Sequence, residues 1–173
     1  MNLIITCQRN LEEPTILEIQ NMLERFGDTE PIVEKTIFSG IIQVETKLDI
    51  MRVLENFKEI IEDEPWLIKY CSRIIPIQVE CESKLDDIRD KVNGLSGIIK
   101  KNDTYRITIE KRQSSLHTKD IISEIADSLP NKVSLENSDW EIIIQVLRDR
   151  TGISIMPPNS ILSVDKQKRV ELD

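Results

Sequence analysis

The chain has 173 residues, 39% of them hydrophobic and only 4% aromatic, so one ordinary domain or two small ones can form around aliphatic cores. Its net charge of −8 divides unevenly: residues 1–83 hold 8 basic and 16 acidic side chains, whereas residues 84–173 hold 15 of each. A polyanion site is therefore disfavoured in the first half and permitted in the second, where residues 84–119 carry 9 basic against 5 acidic side chains.

Several function classes drop out on residue types. No apolar run approaches the ~18–20 residues of a membrane span, and "MNLIITCQRN" (1–10) has neither the basic start nor the apolar length of a secretory leader. Cys7, Cys71 and Cys81 are widely spaced and never in a Cys-x-x-Cys pair, which argues against a disulfide framework or zinc site and suits a reducing cytoplasm. The single histidine, His117, excludes a multi-histidine metal site, and five glycines leave no Gly-rich phosphate cradle or nucleophile elbow. The carboxylates in "IEDEP" (61–65) and "LDDIRD" (85–90) read as helix ends and solvated faces rather than magnesium ligands. No catalytic residue, metal or cofactor is expected.

In chain order, "NLIITC" (2–7) has the length and branching of a buried strand. Ile16, Ile19, Leu23 and Phe26 then fall three or four apart, predicting a helix over 12–27 with an acidic start and Gly27 as its stop. "PIVEKTIFSGIIQVET" (31–46) reads as two strands split at Ser39-Gly40, a hairpin. Thr46 with Asp49 looks like a capping pair for a helix carrying Ile50, Val53, Leu54, Phe57, Ile60 and Ile61. "RIIPIQV" (73–79) is strand-like, with Pro76 confining it to an edge or bulge. The order βαββαβ over residues 1–80 is the ferredoxin-like pattern.

From residue 81 a charged linker leads into a helix with Leu85, Ile88 and Val92 inward, broken by "NGLSG" (93–97). "YRITIEKRQSSLH" (105–117) begins as a strand with Tyr105, Ile107 and Ile109 on one face and Arg106, Thr108 and Glu110 on the other. Thr118 can cap the helix that follows, whose inward face is Ile121, Ile122, Ile125 and Leu129. A polar connection (130–139) with a short strand precedes "WEIIIQVL" (140–147), which predicts a central strand with "TGISIMP" (151–157) as its hairpin partner. Residues 81–157 thus form a second domain, and the tail 158–173 has weak periodicity and reads as partly disordered.

The end of the 105–117 stretch is where binding chemistry concentrates. Lys111 and Arg112 bring cations, Gln113 an amide, and Ser114 and Ser115 hydroxyls, just before a helix start with free N–H groups near Lys119. Charge-assisted and N–H donors converging there would suit a phosphate. A plain polar turn accounts for the same residues. Lys100, Lys101 and Arg106 would widen such a patch.

The second half resembles the THUMP domain, an RNA-binding module of tRNA-modifying proteins. The likeness rests on "YRITIEKRQSSLHTKDII" (105–122), on "KVSLENSDWEIIIQVL" (132–147), similar to a Val-x-Leu-x-Asn-Pro-Asp stretch before an apolar strand, and on "TGISI" (151–155). Ser138 stands where that pattern has proline, and the link 128–133 lacks the family's small Gly-rich segment. "KYCSRIIPIQVEC" (69–81) resembles the junction before THUMP in the stand-alone proteins that assist the tRNA cytidine acetyltransferase.

The resemblance implies a ferredoxin-like domain followed by an α/β THUMP domain, in an α+β chain. It implies a cytoplasmic, non-catalytic adaptor that grips the acceptor end of tRNA and presents it to a separate enzyme, the acetyltransferase in this branch. Carried over, the RNA-binding residues are Lys111, Arg112, Gln113, Ser114, Ser115 and Lys119, with Arg148, Arg150 and Arg73 secondary. An adaptor for a methyltransferase or thiolation enzyme, or a protein–protein regulatory module, remain the alternatives. For Trp66, Tyr70, Tyr105 and Trp140, core packing or a satisfied polar tip is expected ahead of base stacking.

Overall fold

The computed structural model describes residues 1–170. Two compact units emerge, one from Met1–Pro76 plus the segment from Ile161 onward, the other from Ile77–Ser160.

The first unit runs β1 (Leu3–Cys7), α1 (Glu12–Arg25), β2 (Ile32–Lys35), β3 (Ile41–Glu45), α2 (Ile50–Asp63) and β4 (Cys71–Pro76). Its sheet is antiparallel and ferredoxin-like, with β4, β1, β3 and β2 side by side. Aliphatic residues of β1, β3 and β4 bury fully, including Leu3, Ile5, Ile42, Ile74 and Ile75. Past the end of α1, Phe26 meets Phe57 of α2 edge to face, with ring centroids 5.1 Å apart. The β2–β3 turn needs glycine at position 40: its φ is +75°, and a Cβ there would stand 2.6 Å from the Cys7 carbonyl oxygen.

Three sequence expectations change in this unit. Thr46 does not cap α2. Asp49 does, accepting from the Arg52 N–H at 3.0 Å, while the Thr46 hydroxyl donates to buried Asp28 at 2.5 Å. The apolar run 73–79 is two strands in two sheets, because β4 ends at Pro76 and β5 (Val79–Glu82) joins the second unit. Up to residue 170 the tail supplies β10 (Leu162–Ser163) and α5 (Val164–Val170), while 171–173 lie outside the described residues; β10 lies against β4, so β4 is not an edge. Pro76 is tolerated because β10 pairs no further than Ile74, and its missing N–H costs no ladder bond on that side.

The second unit continues from β5 with α3 (Leu85–Leu95), β6 (Thr104–Arg112), α4 (Thr118–Ser128), β7 (Lys132–Val133), β8 (Trp140–Leu147) and β9 (Arg150–Met156). Its sheet runs β5-β9-β8-β6-β7, so the most apolar strand is central. β6 is parallel to β8 and β7, whereas β9 is antiparallel to both β8 and β5. One sheet face joins α3 and α4 in a core that includes Ile88, Val92, Tyr105, Ile125, Ile144 and Ile153. Arg89 links the two helices by donating to Glu124 at 2.5 Å. α3 continues through Asn93 and Gly94 instead of breaking there; Val92 is fully buried, and burial of that face outweighs glycine's entropic cost.

The other face of the β6–β8 pair is polar. Glu141, 4% exposed, accepts from Arg106 Nε and from the Thr108 hydroxyl, both at 2.8 Å, and Gln145 donates to Glu110 at 3.3 Å. Among the described residues no helix is long and apolar enough to cross a membrane, and no cluster of three or more His, Cys, Asp and Glu could hold a metal ion.

Candidate nucleic-acid interface

Parallel pairing brings the carboxyl ends of β6 and β8 together, with Arg112 opposite Leu147. Both strands exit through residues in the left-handed region, Gln113 at φ 51° and Arg148 at φ 52°. These two exits are fastened: the Arg148 N–H donates to the Arg112 carbonyl at 2.9 Å, and its guanidinium donates to Gln113 Oε1 at 2.6 Å. The junction of β5 with α3 closes the third side, where the Ser83 N–H donates to the Asp149 carbonyl at 2.9 Å and Ser83 and Thr151 share a hydroxyl bond at 2.8 Å. A cleft of about 490 Å³ results, walled by residues 82–84, 113–116 and 148–150. In an open α/β sheet, the carboxyl ends of parallel strands before a helix start are the usual ligand position.

Lys84, Arg148 and Arg150 line the cleft with cations, against Glu82 and Asp149. Lys84 lies 2.6 Å from Glu82, whose carboxyl is held below its usual range by that hydrogen bond. Arg150 is 54% exposed and only 4.0 Å from Glu80, a weak contact that leaves its guanidinium turned to solvent. Arg112 is partly buried, and its Nε has no hydrogen-bond partner among the described residues. α4 starts beside the loop with no side-chain cap: His117, not Thr118, is the boundary residue, and only its carbonyl accepts, from Asp120 and Ile121. The cleft therefore gathers guanidinium, ammonium and hydroxyl groups, three cations against two carboxylates, and such donors suit an oxyanion. Burial pushes the Cys81 thiol up to about 11, so it is no thiolate nucleophile at neutral pH.

Of the residues singled out in the sequence, Gln113, Ser114, Ser115, Arg148 and Arg150 come together here. Lys111 points its ammonium at the Leu116 carbonyl, 2.6 Å away, bracing the loop, and Ser114 Oγ accepts from the Leu116 N–H at 3.2 Å. Lys119 is exposed on the first turn of α4. Lys100 and Lys101 do not join: they precede Thr104, at the opposite end of β6. Arg106 is also withdrawn, bound to Glu141 and to Asn159. Arg73 lies in the first unit's sheet, opposite Thr6 and Ser163. Lys84 was missed; its only sequence signal is its place at the head of the charged run before α3.

The aromatic residues divide. Tyr105 is core, and Trp140 donates its indole N–H to Asp103 at 2.9 Å, as expected. Trp66 and Tyr70 depart from expectation, at 63% and 39% exposure. The Asn137-Ser138-Asp139 stretch has a structural duty. Asp139 accepts from the Thr104 N–H at 2.8 Å and its own N–H donates to the Thr104 carbonyl at 3.1 Å, fixing where β6 starts against β8.

A mixed sheet, parallel from β6 to β8 and antiparallel from β8 to β9, with two helices on one face and a cleft at its strand ends, is the setting in which the family match falls: residues 82–156 match the THUMP domain. Over its length the chain is similar to the uncharacterized protein MJ0421 of Methanocaldococcus jannaschii, 26% identical over 174 residues, covering 98% of this chain and 44% of that protein. Among solved structures it is similar in fold to PH1313 of Pyrococcus horikoshii (TM-score 0.63, 18% identity, 94% of this chain and 55% of that one). TrmN of Thermus thermophilus is a further likeness (TM-score 0.58, 8% identity, 90% and 45%). The chain spans about half the length of these relatives.

Proposed function

We propose that this chain is a non-catalytic, cytoplasmic tRNA-binding adaptor, which grips the acceptor end through its THUMP domain and presents the tRNA to a separate modifying enzyme, the tRNA cytidine acetyltransferase. The observation that carries RNA binding is the fastening of Arg148 to Gln113, which sets cationic and hydroxyl donors around one cleft beside an uncapped helix start. The choice of enzyme rests on the junction "KYCSRIIPIQVEC" and its resemblance to the acetyltransferase-assisting branch. The two units are taken as separate domains, divided near Pro76.

The test is tRNA binding by the purified chain, followed by fluorescence anisotropy as salt is raised. Affinity should fall linearly in log–log form, with a slope near one counterion per phosphate contact. Arg148→Asn with Arg150→Gln should weaken binding at least roughly tenfold, since charge-assisted bonds are lost. Asn is chosen at 148 because it accepts the left-handed backbone. Unchanged affinity in the folded double variant would refute the cleft. Stimulation of the acetyltransferase on tRNA, set against a methyltransferase and a thiolation enzyme, decides the partner.

A further inference from the structure

The first unit carries a second recess of different chemistry. One wall is a face of α1, with Pro14, Leu17, Glu18 and Asn21 at three- and four-residue spacing; the other is Trp66, Leu67, Lys69 and Tyr70. Together they enclose about 380 Å³. Single exposed apolar residues are ordinary on a protein surface. Here Leu17 and Trp66 are 62% and 63% exposed and share one groove with Tyr70, and tryptophan and tyrosine are the residues that most often anchor protein partners. The groove is also preformed. Glu18 on α1 accepts from the backbone N–H groups of Lys69, Tyr70 (3.0 Å) and Cys71 (2.9 Å), which fastens the second wall to the first.

Charge selects the occupant. Glu13 stands one turn before Leu17, and Glu24 one turn beyond Asn21. Glu62, Asp63 and Glu64 run directly into Pro65 and Trp66. Two of these carboxylates are neutralised, Glu64 by Arg25 and Glu13 by Lys35, each at 2.5 Å, and Lys69 stands in the groove wall; Glu24, Glu62 and Asp63 make up the remaining acidic excess. An acidic rim around an apolar groove repels a phosphate backbone and attracts lysine and arginine. We propose that this groove is a docking site for a partner protein, taking a basic amphipathic segment whose apolar anchor sits between Leu17 and Trp66 while its cations lie over the rim. The inference is independent of RNA binding in the second unit.

The probe is a fluorescein-labelled 18-residue helical peptide with leucine at i, i+3, i+4 and i+7 and lysine elsewhere, titrated with the full chain. A control peptide carries glutamate in place of lysine. The basic peptide should bind at least roughly tenfold more tightly than the acidic one, and Leu17→Asp and Trp66→Ala should each weaken it about fivefold or more. Leu17→Asp adds negative charge, so attraction by charge alone would strengthen binding; an equal or tighter complex with that variant overturns the proposal. Both residues are exposed, and circular dichroism checks that the variants fold. Loss of tRNA binding in Trp66→Ala, matching that of the cleft variants, would make the groove a base-stacking site and overturn it too. So would a dimer in sedimentation that Leu17→Asp dissolves. The cleft variant Arg148→Asn with Arg150→Gln should bind the peptide normally, which keeps failure of the RNA reading separate.

Discussion

The two units build sheets of equal strand number from similar aliphatic residues, yet they present opposite surfaces. The first offers an apolar groove in an acidic setting, held by one carboxylate, Glu18, against a run of backbone N–H groups. The second offers a cleft of cations and hydroxyls, held by a guanidinium, Arg148, against a side-chain amide. A net charge of −8 describes neither surface. Charge divided by element is the informative quantity, because a ligand meets a local field.

That contrast can be broken one unit at a time. The largest effect is expected from Gly40→Ala, which forces a side chain into a left-handed turn and against the Cys7 carbonyl. It should cost the first unit roughly 3 kcal/mol. Hydrogen exchange should show β1 and β3 losing protection while β6 and β8 keep theirs; equal loss in both sheets would mean that the units are not separate in stability.

Asp28→Asn comes next. Its carboxyl is buried, which by itself raises the pKa, but the Thr46 hydroxyl and the Glu30 and Lys47 N–H groups outweigh burial and hold it below the ordinary value. A depressed folded pKa means stability that is present above the unfolded value of about 3.9 and is lost as pH falls through the folded one. The variant should therefore be destabilised by about 2 kcal/mol at neutral pH. In urea unfolding that penalty should shrink as the pH is taken below about 3.9.

A smaller effect is expected from Lys111→Ala. Losing the bond to the Leu116 carbonyl loosens the loop, and tRNA affinity should fall about three- to fivefold, a cost of at most ~1 kcal/mol. Lys100→Ala with Lys101→Ala sharpens the contrast within the second unit. These lysines stand beyond the far end of β6, roughly 26 Å of strand away, and anisotropy should record almost no change.

Much of the fold could be read before the structure because the signals were local. The branched run 140–147 announced the central strand, and the three- and four-residue spacing of Val53, Leu54, Phe57 and Ile60 announced α2. What failed depended on pairing across the chain. In "RIIPIQV" only Pro76 marks a break, and a proline there does not distinguish a bulge from passage into another sheet; a two-residue strand such as β10 carries no period at all. The site was partly visible, since Gln113 to Ser115 are contiguous. Their meeting with Arg148 follows from parallel register and two left-handed residues, which no single stretch reveals. Lys100 and Lys101 were misplaced because nearness in sequence ignores the length of an intervening strand.

The pairing of β10 with β4 also sets a timetable for synthesis. Leu162 meets Ile74 only after the whole of Ile77–Ser160 has been made. At the ribosome's ~5–20 residues per second, that interval is roughly 4–17 s. Throughout it, β4 presents an unpaired flank carrying Ile74, and an open flank of that kind invites pairing with other chains. The first unit starts to emerge first and finishes last. Its most exposed moment falls while the second unit is folding, and a nascent chain stalled between residues 77 and 160 would be the form most prone to aggregate.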